Sequence, residues 1–238
     1  MRDKLSLLLI SLVLFSLLPV ESTILEYTFA DPIYQLHYEI DQSLAKEVED
    51  TKVIMTLVLN NYDISSWSSA NGQQGVWLGI GYGSKTMTNT DMVTCRYYYT
   101  NSQSDIFHCS DQYTDNSRGR FNDTTQSIQN VKTNSNPIIK TAGQTLTKAN
   151  FSVSFERLFA TKDLNSDYVL SPKIEFSIYA FGSISGGAVQ PCTAANRGFK
   201  YLDLSQGYIE SFSTSANIIQ ICTSLIIVSL FILNDSLF

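Results

Sequence analysis

Between Trp77 and Gly83 the chain reads WLGIGYG, an alternating glycine run of the sort that phosphate loops use. The G-x-G-x-x-G spacing is absent and no helical pattern follows, so phosphate binding lacks its context. Glycines at alternate positions of a strand instead let a ligand or another backbone approach closely. Only two histidines are present, His37 and His108, which excludes multi-histidine metal sites and leaves few bases that work near neutral pH. There is no H-E-x-x-H, no Cys-x-x-Cys pair and no G-x-S-x-G elbow. His37 falls on the polar face of a strand, and His108, beside Cys109 and Asp111, reads as a satisfied strand or surface histidine. Asp163 and Asp167 have the spacing of turn and cap residues rather than of a hydrolytic dyad. Met87, by composition alone, reads as core filler. No catalytic constellation emerges, and autonomous catalysis is not expected.

Of the four cysteines, Cys222 lies in the apolar tail, leaving Cys95, Cys109 and Cys192. An odd number in an exported chain implies one disulfide and one spare thiol, or a link to another chain. VTCRYYYT and DIFHC flank the polar stretch Asn101 to Ser104, and a three-residue loop centred on Ser102 sets Cys95 opposite Cys109. These two are the expected disulfide. Asn122-Asp-Thr and Asn150-Phe-Ser are glycosylation sequons.

The elements that must position these residues are strands. The chain has 238 residues, 22 acidic against 16 basic, a net charge of −6 and 12% aromatic residues. That balance disfavours a nucleic-acid partner, which needs a basic surface, while the aromatic content supplies a core. Tyr34, Leu36, Tyr38 and Ile40 alternate with polar residues, as do Phe151, Val153 and Phe155, and Ile174, Phe176, Ile178 and Ala180. The run 53–59 is almost continuously apolar and is expected to be a central strand covered on both sides. Further strands are expected at 25–29, 76–82, 91–99, 106–113, 127–132 and 199–204. About ten short strands separated by Asn, Ser, Gly and Asp turns predict an all-β fold, a β-sandwich, in one domain over residues 23–208.

The two ends read as addresses. A charged start followed by an apolar run from Leu5 to Val20 has the form of a signal peptide, residues 1–22, with cleavage after Ser22. Residues 209–238 carry small residues at 213–216, then sixteen mostly apolar residues from Ile218 to Leu233 with no basic flank. This is the pattern of a GPI-attachment signal, with a single membrane helix as the alternative. Either reading takes the chain through the secretory pathway to the cell surface, attached to the membrane.

A family resemblance joins these pieces. Trp77-Leu-Gly-Ile-Gly followed by Met87 and Asp91-Met92-Val93 resembles the DOMON domain. Asp111-Gln-Tyr113, Asp123 with Gln126, Phe151 to Arg157 with Asp163 and Asp167, Ile178-Tyr-Ala-Phe-Gly182 and Arg197-Gly198 are similar to later steps of its pattern, in order. The resemblance runs from about Ile24 to Leu204. It implies an exported, immunoglobulin-like β-sandwich with a ligand pocket that binds haem b or, in other branches, sugars, next to a redox partner. Met87 falls on the family's methionine ligand position. The histidine expected shortly before Arg-Gly is absent from Pro191 to Gly198, where Cys192 stands nearest; His108 is the other candidate. The functional expectation is a membrane-attached ligand-binding or redox-relay module. The alternative is a carbohydrate-binding protein, with Trp67 and Tyr97 to Tyr99 as exposed aromatics, or an adhesion or surface-coat protein without a cofactor.

Overall fold

The computed structural model describes residues 24–206, except 31–32, 69, 118, 143–144 and 164–165. The proposed signal peptide and C-terminal tail, with Cys222, lie outside the described residues. Twelve strands follow one another among the described residues: β1 (Leu25–Ala30), β2 (Tyr34–Asp41), β3 (Lys52–Asp63), β4 (Gln74–Tyr82), β5 (Asp91–Tyr98), β6 (Phe107–Thr114), β7 (Arg120–Asn122), β8 (Ile128–Thr133), β9 (Lys148–Leu158), β10 (Ile174–Ser185), β11 (Ala188–Val189) and β12 (Arg197–Asp203). The ten expected strands are all present, and the two short ones, β7 and β11, are additional. All pairings are antiparallel, and they build two sheets packed as an all-β sandwich. The first has the order β1-β2-β3-β9-β8. The second has the order β11-β10-β4-β5-β6-β7, with β12 also on β10.

The alternation seen in the sequence becomes the two faces of each sheet, with β10 as a correction. Its apolar series Ile174, Phe176, Ile178 and Ala180 lies on the outward face, Ile174 61% exposed, while Glu175 and Ser177 are turned inward and buried, Glu175 accepting from the Tyr168 and Ser171 hydroxyls. Tyr34, Leu36, Tyr38 and Ile40 of β2 point into the core, as do Val76, Leu78, Ile80 and Tyr82 of β4 and Phe151, Val153 and Phe155 of β9. Fully burying a side chain of this size contributes about 1.5–3 kcal/mol, so this single inter-sheet layer carries the stability. β3 departs from expectation. Val53, Met55, Leu57 and Leu59 are buried, but Ile54, Thr56 and Val58 are only half-buried. The strand is central within its sheet, yet one face only is covered, because among the described residues no third layer packs over the other.

Cross-sheet polar contacts fix how the sheets sit. The Tyr34 hydroxyl donates to the Gly79 carbonyl at 3.1 Å. Arg157, at the end of β9, forms an ion pair with Asp91, at the start of β5, with Nη2 and Oδ2 2.6 Å apart and both side chains almost wholly buried. The same guanidinium lies 4.9 Å from the Tyr82 ring centre. Its Nη2 also donates to the Tyr168 carbonyl at 2.6 Å, and the Tyr168 amide donates to Asp91 Oδ2 at 2.7 Å. One ion pair therefore fastens both sheets and the 159–173 connection.

The β5–β6 hairpin has the expected register, Cys95 opposite Cys109, and the two are joined as a disulfide. The loop is longer than three residues: pairing stops at Tyr97 and Phe107. Asp105 holds the wider loop by accepting from the Thr100 amide and hydroxyl. Lengthening the loop equally on both sides keeps its centre at Ser102, which is why the register survives.

Candidate functional site

The outward face of β4 carries Trp77, Gly79 and Gly81, with Ala180 and Gly182 beside them on β10. These positions form a floor of backbone and small side chains. A Cβ on Gly81 would lie 2.8 Å from Thr90 Cγ2 and 2.9 Å from Ile178 Cγ1, and one on Gly182 would lie 2.8 Å from Trp77 Nε1. The glycines thus allow close packing that no side chain could join, and they leave space above. Met92, one register step away on β5 and opposite Gly81, extends the floor.

Two connections rise around this floor. The first leaves β4 at Gly83, whose φ of +79° and the Tyr168 ring 2.4 Å from any added Cβ together require glycine. It returns to β5 at Thr90, whose hydroxyl donates to the Thr86 carbonyl at 2.6 Å, and Asn89 donates to Asn116 at 2.8 Å. Met87 sits in this loop, half-buried. The second connection joins β11 to β12. It is held at one end by Trp77 Nε1 donating to the Gln190 carbonyl at 3.0 Å and by the Gln190 amide donating to Ser183 at 3.0 Å. Cys192 lies in it as a free thiol, half-buried.

Together these parts enclose an open-mouthed cavity of about 570 Å³, within the roughly 300–1,000 Å³ range of small-molecule sites. Met87 and Cys192 both line it, although 104 residues separate them in the chain. Met87 is thus on a cavity wall and not in the inter-sheet core, which corrects its reading as core filler. The charged lining residues are Lys85, Arg120 and Arg197, all exposed, with no carboxylate among them. Phe199, 47% exposed, completes the rim, and Lys85 Nζ lies 5.9 Å from its ring centre. A chain of net charge −6 therefore gathers three cations around one apolar floor. Met92 and the three cations were missed by sequence reasoning; the outward parity of Met92 with Thr94 was the available signal for it.

The other candidates fall elsewhere. His108 shares the outer face but is exposed beside Arg96, and it does not line the cavity. Asn122 and Asn150 are both exposed. Asn122 Oδ1 accepts from Gln112 Nε2 at 2.7 Å and Asn150 Oδ1 from the Asn61 amide at 2.8 Å. The aromatics expected to be exposed are largely not. Trp67, Tyr97 and Tyr99 are buried in the core, Trp67 stacking on Tyr97 with ring centres 6.4 Å apart. Tyr97 has the inward parity of Val93 and Cys95, so the sheet takes it inside.

No family model matches the chain, and no curated protein matches it. Among solved structures, one similar chain is that of a candidate carbohydrate-binding protein from Bacteroides uniformis, 7% identical, covering 76% of this chain and 85% of that one at a TM-score of 0.33. A likeness at that score carries no argument about function.

Proposed function

We propose that this chain is a DOMON-type ligand-binding module, exported and held at the cell surface by its C-terminal tail. Its outer-face cavity takes a flat, largely apolar ligand that carries negative charge. One observation supports this above the others: a cavity with a glycine-and-alanine floor, a thioether on one wall, a thiol on the other and Lys85, Arg120 and Arg197 at its mouth. A floor of backbone suits a planar face, and cations with no carboxylate among them suit an acidic edge.

Haem b is the ligand of that class which the family resemblance names, and the donor set is compatible with it. Met87, Met92 and Cys192 are the sulfur side chains of the lining, of which Met87 and Cys192 stand on the loops around the floor and would hold the iron, and the three cations would neutralise the propionates. When bound, haem would supply one-electron transfer to an outside redox partner. The chain's own part is to exclude water from the ring face with Met92 and Trp77, and to present sulfur. Carbohydrate binding is the second reading, favoured by Phe199, which lines the cavity and is 47% exposed, and by Tyr201, 48% exposed beside it on β12 with ring centres 6.4 Å apart.

The deciding experiment is a haem titration of the purified chain followed by its absorption spectrum. A one-to-one Soret band that shifts in Met87→Ala and again in Cys192→Ser supports the haem reading. Failure to bind haem, with retention on a glycan array that is lost in Phe199→Ala, moves the assignment to carbohydrate.

A further inference from the structure

A second site lies on the opposite, inward face of the same sheet. Asp91 of β5, Asp111 of β6 and Asp167 of the 159–173 connection each bring a carboxylate oxygen within 4.8 Å of the others. Asp91 and Asp111 are 4% and 2% exposed and Asp167 is 9% exposed. Backbone amides take one oxygen each from two of them: Tyr168 donates to Asp91 Oδ2 at 2.7 Å and Ser127 to Asp111 Oδ2 at 2.9 Å. Both oxygens of Asp167 and Oδ1 of Asp91 are buried and accept no hydrogen bond. Arg157 does not supply what is missing. Its Nη2 goes to Asp91 Oδ2 and the Tyr168 carbonyl, while Nε and Nη1 make no hydrogen bond.

Three carboxylates against one guanidinium leave two negative charges uncompensated in a buried place, and a buried charge without a partner is costly. We propose that this cluster is a calcium site, ligated by Asp91 Oδ1, by Asp111 and by the unpartnered carboxylate of Asp167. A divalent ion brings the sum of the four side chains to zero. Hard oxygen donors select a hard cation, and oxygens all within 4.8 Å of one another are close enough to share one ion; a set of protein carboxylates suits calcium, whereas magnesium demands near-ideal octahedral geometry and keeps several of its waters. In sequence, residues 163, 165 and 167 are Asp, Asn and Asp, the opening spacing of calcium loops, here without the glycine and distal glutamate of the full loop. The ion would tie β5 and β6 of one sheet to the 159–173 connection, next to the ion pair that ties β9 to β5.

The test uses the purified full-length chain, stripped with EGTA, and calcium chloride as the probe. Equilibrium dialysis with ⁴⁵Ca²⁺ at pH 7.5 is expected to give one ion per chain, with a thermal midpoint that rises with calcium and much less with magnesium. Asp167→Asn leaves the Arg157–Asp91 pair in place and is expected to weaken binding about tenfold or more, with the calcium-free melt unchanged or higher. Terbium luminescence of the wild type, excited through tyrosine and quenched by added calcium, reads the same site without any variant, since Tyr82 packs against Arg157. No bound calcium at about 10 mM, tenfold above the weakest extracellular calcium modules at about 1 mM, overturns the proposal. So does calcium that binds wild type and Asp167→Asn alike, or magnesium that stabilises equally.

Discussion

The two faces of β4 have opposite compositions. Inward it presents Val76, Leu78, Ile80 and Tyr82, all in the core; outward it presents Trp77, Gly79 and Gly81, a nearly bare surface under a cavity. The inner face gathers carboxylates around Arg157, and the outer face gathers Lys85, Arg120 and Arg197. One strand therefore divides the molecule into a side that holds the fold and a side that can hold a ligand. Substitutions on the first should show in stability, and those on the second in binding.

The largest effect is expected from the inner ion pair. Arg157→Ala leaves Asp91 buried without its partner and should destabilise by about 3–5 kcal/mol, read by urea denaturation. A loss below about 1 kcal/mol would break the division at its strongest point. Reducing the disulfide, or replacing both Cys95 and Cys109 by Ser, should cost about 3 kcal/mol for a loop of this size. Non-reducing peptide mapping should join those two cysteines and leave Cys192 free.

Acidity sharpens the contrast. Burial, opposed by Arg157, pushes the Asp91 carboxyl up to about 6; burial, with the Asp91 charge adding to it, pushes Asp111 up to about 7. Both folded values exceed the unfolded one, so between about pH 4 and pH 7 the native chain holds protons that the unfolded chain has released. Calcium-free stability should therefore fall as the pH rises through that window, by an amount on the order of a few kcal/mol. Denaturation midpoints in EGTA at pH 5 and pH 7.5 check the sign. Asp41, Asp63, Asp115 and Asp203 are held below the usual carboxylate range mainly by hydrogen bonds from nearby serines, so the stability they contribute is present above about pH 4 and lost below it, outside this window.

On the outer face, Gly81→Val should cost about 1–3 kcal/mol, because its Cβ meets Thr90 and Ile178, and it should narrow the cavity as well. The smallest stability effect belongs to Met87→Ala. Half-buried on a cavity wall, it should change stability by less than about 1 kcal/mol while changing ligand affinity, a separation that calorimetry of the free and loaded protein would read.

Alternation made the sheets legible, since in an antiparallel sandwich each strand shows the core one side chain in two. The same parity held more than was taken from it. Arg157 continues the inward series of Phe151, Val153 and Phe155, and Asp91 precedes that of Val93, Cys95 and Tyr97. Asp111 likewise follows Phe107 and Cys109. Three charged residues on apolar faces were the visible sign of a buried polar cluster. The cavity showed only its floor, in the alternating glycines of β4. Its walls come from the loop after β4, from β5, from β10 and from the span before β12, and only the folded topology brings Met87 and Cys192 to one place. The short strands β7 and β11, of three and two residues, are set by neighbouring edges rather than by any pattern of their own.

β10 is long enough to share one edge between two partners: β12 pairs with residues 174–180 and β11 with residues 184–185. The span 190–196 starts and finishes on that same edge, so its two ends are fixed independently of its length. Residues could be inserted or exchanged there with little cost to the register of either sheet, because loop closure grows only slowly with length. Cys192 occupies a stretch whose length can vary at little cost. A lineage of such proteins could change what its cavity accepts by rewriting seven residues, leaving the sandwich that carries them intact.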